Sequence, residues 1–169
     1  RNRKVQDAEL AFEIPDSLHI DSNWTWIAPI RTRPRRIYDG FRTDFTPEGE
    51  HTPYIIRKNL GSDTKATRFT ELLTRFGESS GLFRTVKAHS FGSDPAAPFE
   101  VMIELHGTSL NISNVGYGVS QVLPVVVEMI TQQKGQRFAI QQPEVHLHPR
   151  AQAALGDLVH FLTIEEEHH

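Results

Sequence analysis

An α/β architecture, with a mixed sheet flanked by helices, is what the apolar patterning of this chain predicts, and three observations carry that prediction. Phe138, Ala139 and Ile140 form a short apolar run suited to a buried strand, which Pro143 ends, and Pro149 opens a helix through Gln152, Ala153, Leu155 and Leu158. The run Asn114-Val115-Gly116-Tyr117-Gly118-Val119-Ser120-Gln121 is a glycine turn that leads into an apolar helix through Val122, Leu123, Val125, Val126, Met129 and Ile130. Between Phe83 and Ile112 the apolar residues instead alternate, as they do in strands with one wet face.

Taken in order, residues 1–23 are polar and weakly patterned. Trp24 to Ile27 is aromatic and β-branched enough for a short strand, with Trp24 and Trp26 on one edge of the core. Pro29 and Pro34 bracket a basic loop containing Arg31, Arg33, Arg35 and Arg36, and residues 39–53, with Gly40, Pro47, Gly49 and Pro53, read as a surface excursion. From an N-cap at Asp63 or Thr64, Phe69, Leu72, Leu73 and Phe76 recur at helical spacing until Gly77. Strands follow at Phe83 to His89, Phe99 to Leu105 and Ser109 to Ile112. Pro124 fits the next helix only in its first turn, where a missing N–H costs little.

Composition bounds the function. The 169 residues fit one domain, and a net charge of −3 argues against a protein that coats nucleic acid through overall charge, while leaving room for a local basic patch. Without cysteine there is no disulfide or thiolate chemistry, which fits a cytoplasmic location. No apolar stretch approaches the roughly 20 residues that span a bilayer, so no membrane partner is expected. The terminal Glu165-Glu166-Glu167-His168-His169 is peripheral and carries no functional argument.

Two places carry chemistry. At the carboxyl end of the 138–140 strand, where open α/β sheets bind ligands, polar side chains gather at Gln141, Gln142, Glu144, His146 and His148. At the glycine turn, the first free N–H groups of the helix, with an effective charge of about +0.5, can receive a phosphate. The four arginines of the basic loop can grip phosphates of nucleotide or nucleic acid; they can equally be solvated, or pair with Asp44, Glu48 and Glu50.

Asn114 to Pro124 and Ile140 to Gln152, in that order, together resemble the AAA-type ATPases of the ABC/SMC-like group, and within it bacterial ATP-binding proteins related to the OLD (overcoming lysogenization defect) family. Ile27 to Arg31, continuing through Pro34, Arg36 and Tyr38, resembles an earlier segment of the same group, so the likeness spans roughly residues 24–160. It implies a P-loop NTPase fold of the ABC-type head and use of ATP with Mg²⁺. It also implies a homodimer or larger assembly in which two heads sandwich nucleotide, a switch serving phage defence or DNA maintenance. Within that resemblance Gly116, Tyr117, Gly118, Ser120 and Gln121 stand at the signature turn, Phe138 to Gln142 at the Walker B strand, and His146 to Pro149 at the D-loop that touches the opposite subunit.

The chain departs from the family pattern at three places. Relatives carry an acid at the Gln141 position to hold Mg²⁺, and the Gln142 position often supplies the residue that orients or deprotonates the attacking water. Glutamine positions water but cannot act as a general base, a role worth roughly 10²–10⁴ in rate. Many relatives place a serine at or near Gly116, whose hydroxyl is lost here. No Gly-x-x-x-x-Gly-Lys-Ser/Thr loop is present, and neither Gly61 nor Gly77 opens one. By itself the chain is therefore expected neither to bind ATP tightly nor to hydrolyse it.

Three readings remain open at this point. In the first, Gln142, Glu144 and His148 are the catalytic positions of an ATPase head. In the second, the head is degenerate and Gly116 to Gln121 with His146 to His148 form a protein interface. In the third, Glu144, His146 and His148 begin a metal site, since imidazole and carboxylate suit zinc or iron.

Overall fold

The computed structural model describes residues 24–60, 66–132 and 135–165; the helix caps expected at Asp63 or Thr64 lie outside them. Strand β1 (Trp24–Ile27) runs parallel to β5 (Arg137–Ile140), with Trp24 opposite Arg137 and Ile27 opposite Ile140. Three further strands, β2 (Thr85–Ser90), β3 (Phe99–Leu105) and β4 (Thr108–Asn111), form an antiparallel sheet in that order. Among the described residues, parallel and antiparallel pairing thus occur in two separate sheets and not in one mixed sheet. Within β1 the parity is opposite to expectation: Thr25 and Ile27 face inward, while Trp24 and Trp26 are 47% and 45% exposed.

The antiparallel sheet keeps the alternation read from the sequence. Val86, Phe99, Val101 and Ile103 are buried, whereas Lys87 and His89 lie on the wet face. His106 and Gly107, with φ of 49° and 79°, make the two-residue turn between β3 and β4 that such a hairpin requires. An isolated bridge joins Tyr38 to Phe99 in both directions at 2.9 Å, which fastens the basic loop to β3.

Helix α2 (Ala66–Ser80) buries Phe69, Leu72, Leu73 and Phe76 as predicted, but it continues past Gly77. A Cβ on Gly77 would sit 2.4 Å from the Phe83 ring, so this glycine makes room for packing, and Gly81, at φ 72°, supplies the left-handed residue after the helix. Helix α4 (Pro149–Glu165) starts at Pro149 as predicted and packs along α2.

The axis of the core is α3 (Tyr117–Thr131), in which every residue from Val119 to Met129 is buried, the pattern of a helix enclosed on all sides. It packs against α1 (Thr52–Leu60), α2 and α4. Pro124 is its eighth residue and not part of the first turn, so one helical N–H is missing in the interior. Gly49, at φ 80°, lies against the proline ring: a Cβ there would come within 2.6 Å of Pro124 Cβ.

The region 39–53, read from sequence as a surface excursion, is instead partly core, since His51, Thr52 and Pro53 are buried and lead into α1. Only nine residues long, α1 offers too few turns for its buried Tyr54 and Ile56 to stand out as a period. His51 fixes its entry. The ring Nδ1 accepts the Thr46 N–H at 3.2 Å, so the proton belongs on Nε2, which donates to Glu128 Oε2 at 2.8 Å. The same carboxylate accepts from Gln132 through its other oxygen. His51 and Glu128 are 4% and 3% exposed. Truncating the acceptor leaves a buried donor unmatched and a void beside it, so Glu128→Ala is expected to lower stability by roughly 2–4 kcal/mol in urea denaturation, with Glu128→Gln losing clearly less. Equal losses in the two variants would contradict this assignment.

Candidate functional site

Parallel strands end on the same side, and the chain's polar groups collect there because both strands deliver loops to that edge. The pairing runs one bond beyond the strands, Gln141 N donating to Ile27 O at 3.1 Å. Four residues after β1, Arg31 turns back into this edge and is only 3% exposed. A terminal guanidinium nitrogen, Nη2, donates to Gln141 O at 2.9 Å. The Arg31 main chain is clasped by one side chain of α3: Arg31 N donates to Gln121 Oε1 at 3.4 Å, and Gln121 Nε2 donates to Arg31 O at 3.5 Å. Burial lowers the Arg31 pKa from its ordinary value and the Glu144 carboxylate opposes that shift. Arginine starts so high that the group keeps its proton.

The glycine turn lies directly on the loop that follows β5. Gly116 is the N-cap of α3 and provides no capping side chain, so among the described residues the Tyr117 and Gly118 N–H groups are the free first donors of the helix. The Tyr117 ring meets the His146 ring edge-on at 4.6 Å. A Cβ on Gly118 would stand 2.7 Å from His146 O, whereas a Cβ on Gly116 would meet nothing within 4 Å. The two glycines therefore do different things: Gly118 lets two parts of this chain touch, and Gly116 leaves open space in front of the helix end.

Ser120 and Gln121 are buried and already engaged. Ser120 Oγ donates to Tyr117 O at 3.0 Å, and Gln121 holds Arg31. In this arrangement the exposed part of the turn is Gly116, Tyr117 and the adjoining N–H groups, not the two polar side chains expected from the sequence.

After β5, Gln141, Gln142 and Glu144 are exposed, and Val145 N and Leu147 N donate to Gln142 O and Glu144 O at 3.3 and 3.0 Å in two successive turns. Gln142 and His146 take φ of 48° and 67°, uncommon for residues with a Cβ, and Leu147 anchors the loop in the core. His148 caps α4, its Nδ1 accepting Ala151 N at 3.3 Å. That bond gives His148 a structural task at the start of α4. Arg31 was the residue whose role sequence reasoning missed: it neither pairs with Asp44, Glu48 or Glu50 nor stays solvated, and its place directly after a buried strand was the available signal.

A divalent cation fits poorly here. The side chain at Gln141 is a neutral amide, and the Arg31 guanidinium already occupies the Gln141 carbonyl, so charge and donor set both oppose Mg²⁺ held by these residues. Among the described residues no three of His, Asp and Glu come together as a metal group, so the reading of Glu144, His146 and His148 as the start of a metal site gains no support. The His146 ring is turned to Tyr117, and His148 Nδ1 accepts from Ala151 N at the start of α4.

Because the glycines differ in surroundings, their alanine variants should separate. Gly118→Ala is expected to cost roughly 1–3 kcal/mol by forcing the His146 carbonyl away, and Gly116→Ala to change stability by less than about 1 kcal/mol. Thermal or urea unfolding of the two variants checks this, and a larger loss in Gly116→Ala would contradict the placement.

Comparison with known proteins gives one result. Residues 12–168 match the family described as "AAA domain, putative AbiEii toxin, Type IV TA system", while no curated protein and no solved structure matches. Among the described residues no helix is long and apolar enough to cross a membrane. With nearly the whole chain matched, and with a glycine turn at a helix end lying on the loop after a parallel strand, the chain belongs to that family and carries an AAA, P-loop ATPase-like domain.

Proposed function

We propose that this chain is the part of an ABC/SMC-like ATPase head that presents a signature turn to a nucleotide held by a second head. ATP would join the two heads, and hydrolysis would release them. The observation that carries the reading is the contact of Gly118 with His146 O, which makes the turn and the loop after β5 one continuous surface. On that surface the Tyr117 and Gly118 N–H groups, with open space before Gly116, suit a γ-phosphate arriving from outside. Tyr117, 51% exposed, and His146 would flank it as the dimer contact. The family supports ATP as ligand; the likeness to OLD-related proteins and a role in phage defence or DNA maintenance are further extensions of the same proposal.

Catalysis in this head would be slow. Gln142 can orient a water but not deprotonate it, and Glu144 is the one exposed carboxylate of the loop. The residues at the end of β5, a neutral amide and a carbonyl already accepting from Arg31, do not suit Mg²⁺. These same features, two amides and an arginine at the strand end, favour a second reading in which the head is non-catalytic and its turn and loop serve as a protein-interaction module.

The pure 169-residue chain is expected to show no magnesium-dependent ATP hydrolysis; appreciable turnover would contradict the proposal. Combined with a polypeptide that carries a phosphate-binding loop, the chain should associate in an ATP-dependent way, and Gln141→Glu should raise turnover. A Gly116→Val variant should fold but lose that association, because its side chain fills the open space. Association that ignores both ATP and Gly116→Val, with turnover absent even in Gln141→Glu, would favour the interaction module.

A further inference from the structure

A cleft of about 460 Å³ opens between the carboxyl half of α1 and the loop that joins β2 to β3, within the roughly 300–1,000 Å³ of small-molecule sites. Tyr54, Arg57 and Lys58 line it together, because residues three and four apart share one face of a helix. Asp94 of the loop and Ser90 at the end of β2 belong to the same lining, and Phe41, 63% exposed, adds an uncovered aromatic ring. The charged groups can be reached from solvent: Lys58 and Asp94 are exposed and Arg57 is half-buried.

Both walls are held in place. Arg57 Nη1 donates to Ala97 O at 2.8 Å and its guanidinium lies 4.6 Å from the centre of the Phe99 ring, which ties α1 to the loop and fixes the remaining N–H donors of the fork. On the loop, Phe91 N donates to Pro98 O and Ala97 N to Asp94 O, both at 2.9 Å. Asp94 Oδ1 accepts Ala96 N at 2.7 Å, which leaves Oδ2 for another donor. The Tyr54 hydroxyl already donates to Asp39 O at 2.9 Å, so Tyr54 offers the cleft its ring.

The charges decide the ligand. Among the described residues neither Lys58 nor Asp94 enters an ion pair, although the two line one cleft. A plain carboxylate is drawn to Arg57 and Lys58 but repelled by Asp94, and a plain amine meets the reverse; a molecule carrying both signs satisfies all three. The carboxyl end of α1 contributes an effective charge of about −0.5, which the two cations outweigh. From these features we infer that the cleft binds a free amino acid with an aromatic side chain, its carboxylate received by Arg57 and Lys58, its ammonium by Asp94, and its ring by Phe41. Neither the glycine turn nor the nucleotide reading enters into this assignment.

L-Phenylalanine titrated into the full chain, followed by calorimetry and by backbone NMR, tests it without a second subunit or ATP. Saturable binding is expected, with shifts at Arg57, Lys58 and Asp94. On the same chain 3-phenylpropionate, which lacks the ammonium, and phenethylamine, which lacks the carboxylate, should each bind at least about 10-fold more weakly. Lys58→Ala and Asp94→Asn alter exposed positions, and the asparagine keeps an oxygen for Ala96 N. Each should weaken L-phenylalanine by about 3- to 10-fold, while 3-phenylpropionate binds Asp94→Asn no more weakly than the parent chain. Absence of saturable binding, either analogue binding as tightly as L-phenylalanine, or unchanged affinity in either folded variant would each overturn the assignment.

Discussion

Everything at the functional edge depends on how one buried arginine is held. Arg31 leaves β1, enters the core and joins two elements far apart in sequence: its main chain is clasped by Gln121 of α3 and its guanidinium donates to Gln141 O beyond β5. A buried cation is tolerated only when its donors are matched, and here Nε remains without a partner among the described residues. The arrangement is therefore costly, and Glu144 offsets part of that cost by favouring the charge. What it achieves is a fixed distance between the helix that carries the glycine turn and the strand end that carries the amide pair.

The remainder of the fold supports α3 in that position. The helix is enclosed along its length, and it is braced near its carboxyl end by the bonds of Glu128 to His51 and Gln132. At its midpoint Gly49 packs tightly against the Pro124 ring, where a side chain would collide.

Much of this was legible in the sequence wherever the apolar pattern was long or the punctuation strong. The α3 and α4 helices, the antiparallel strands and the start at Pro149 follow from periodicity and proline chemistry. Local pattern failed where distant residues set the outcome. Gly77 reads as a helix end, yet it is a packing gap for Phe83; Pro124 reads as a first-turn residue, yet Gly49 accommodates it eight residues in. Alternation in β1 was visible but its direction was not, since Trp and Thr exchange faces when the neighbouring strand is unknown. At the site, the turn and the loop after β5 were identifiable as chemistry-bearing segments. The division of labour between Gly116 and Gly118, and the use of Ser120, Gln121 and His148 inside the molecule, depend on contacts that no local spacing encodes.

Arg31 and Gln121 together hold the glycine turn and the loop after β5 as one surface, and amide hydrogen exchange on Arg31→Ala and Gln121→Ala variants tests this, the first cutting the bond to Gln141 O and the second the clasp on the Arg31 main chain. In each variant, protection is expected to fall together at Val119–Gln121 and at Gln141, while the β2–β3 amides keep theirs. Loss confined to residues around position 31, with both distant segments unchanged, would contradict it.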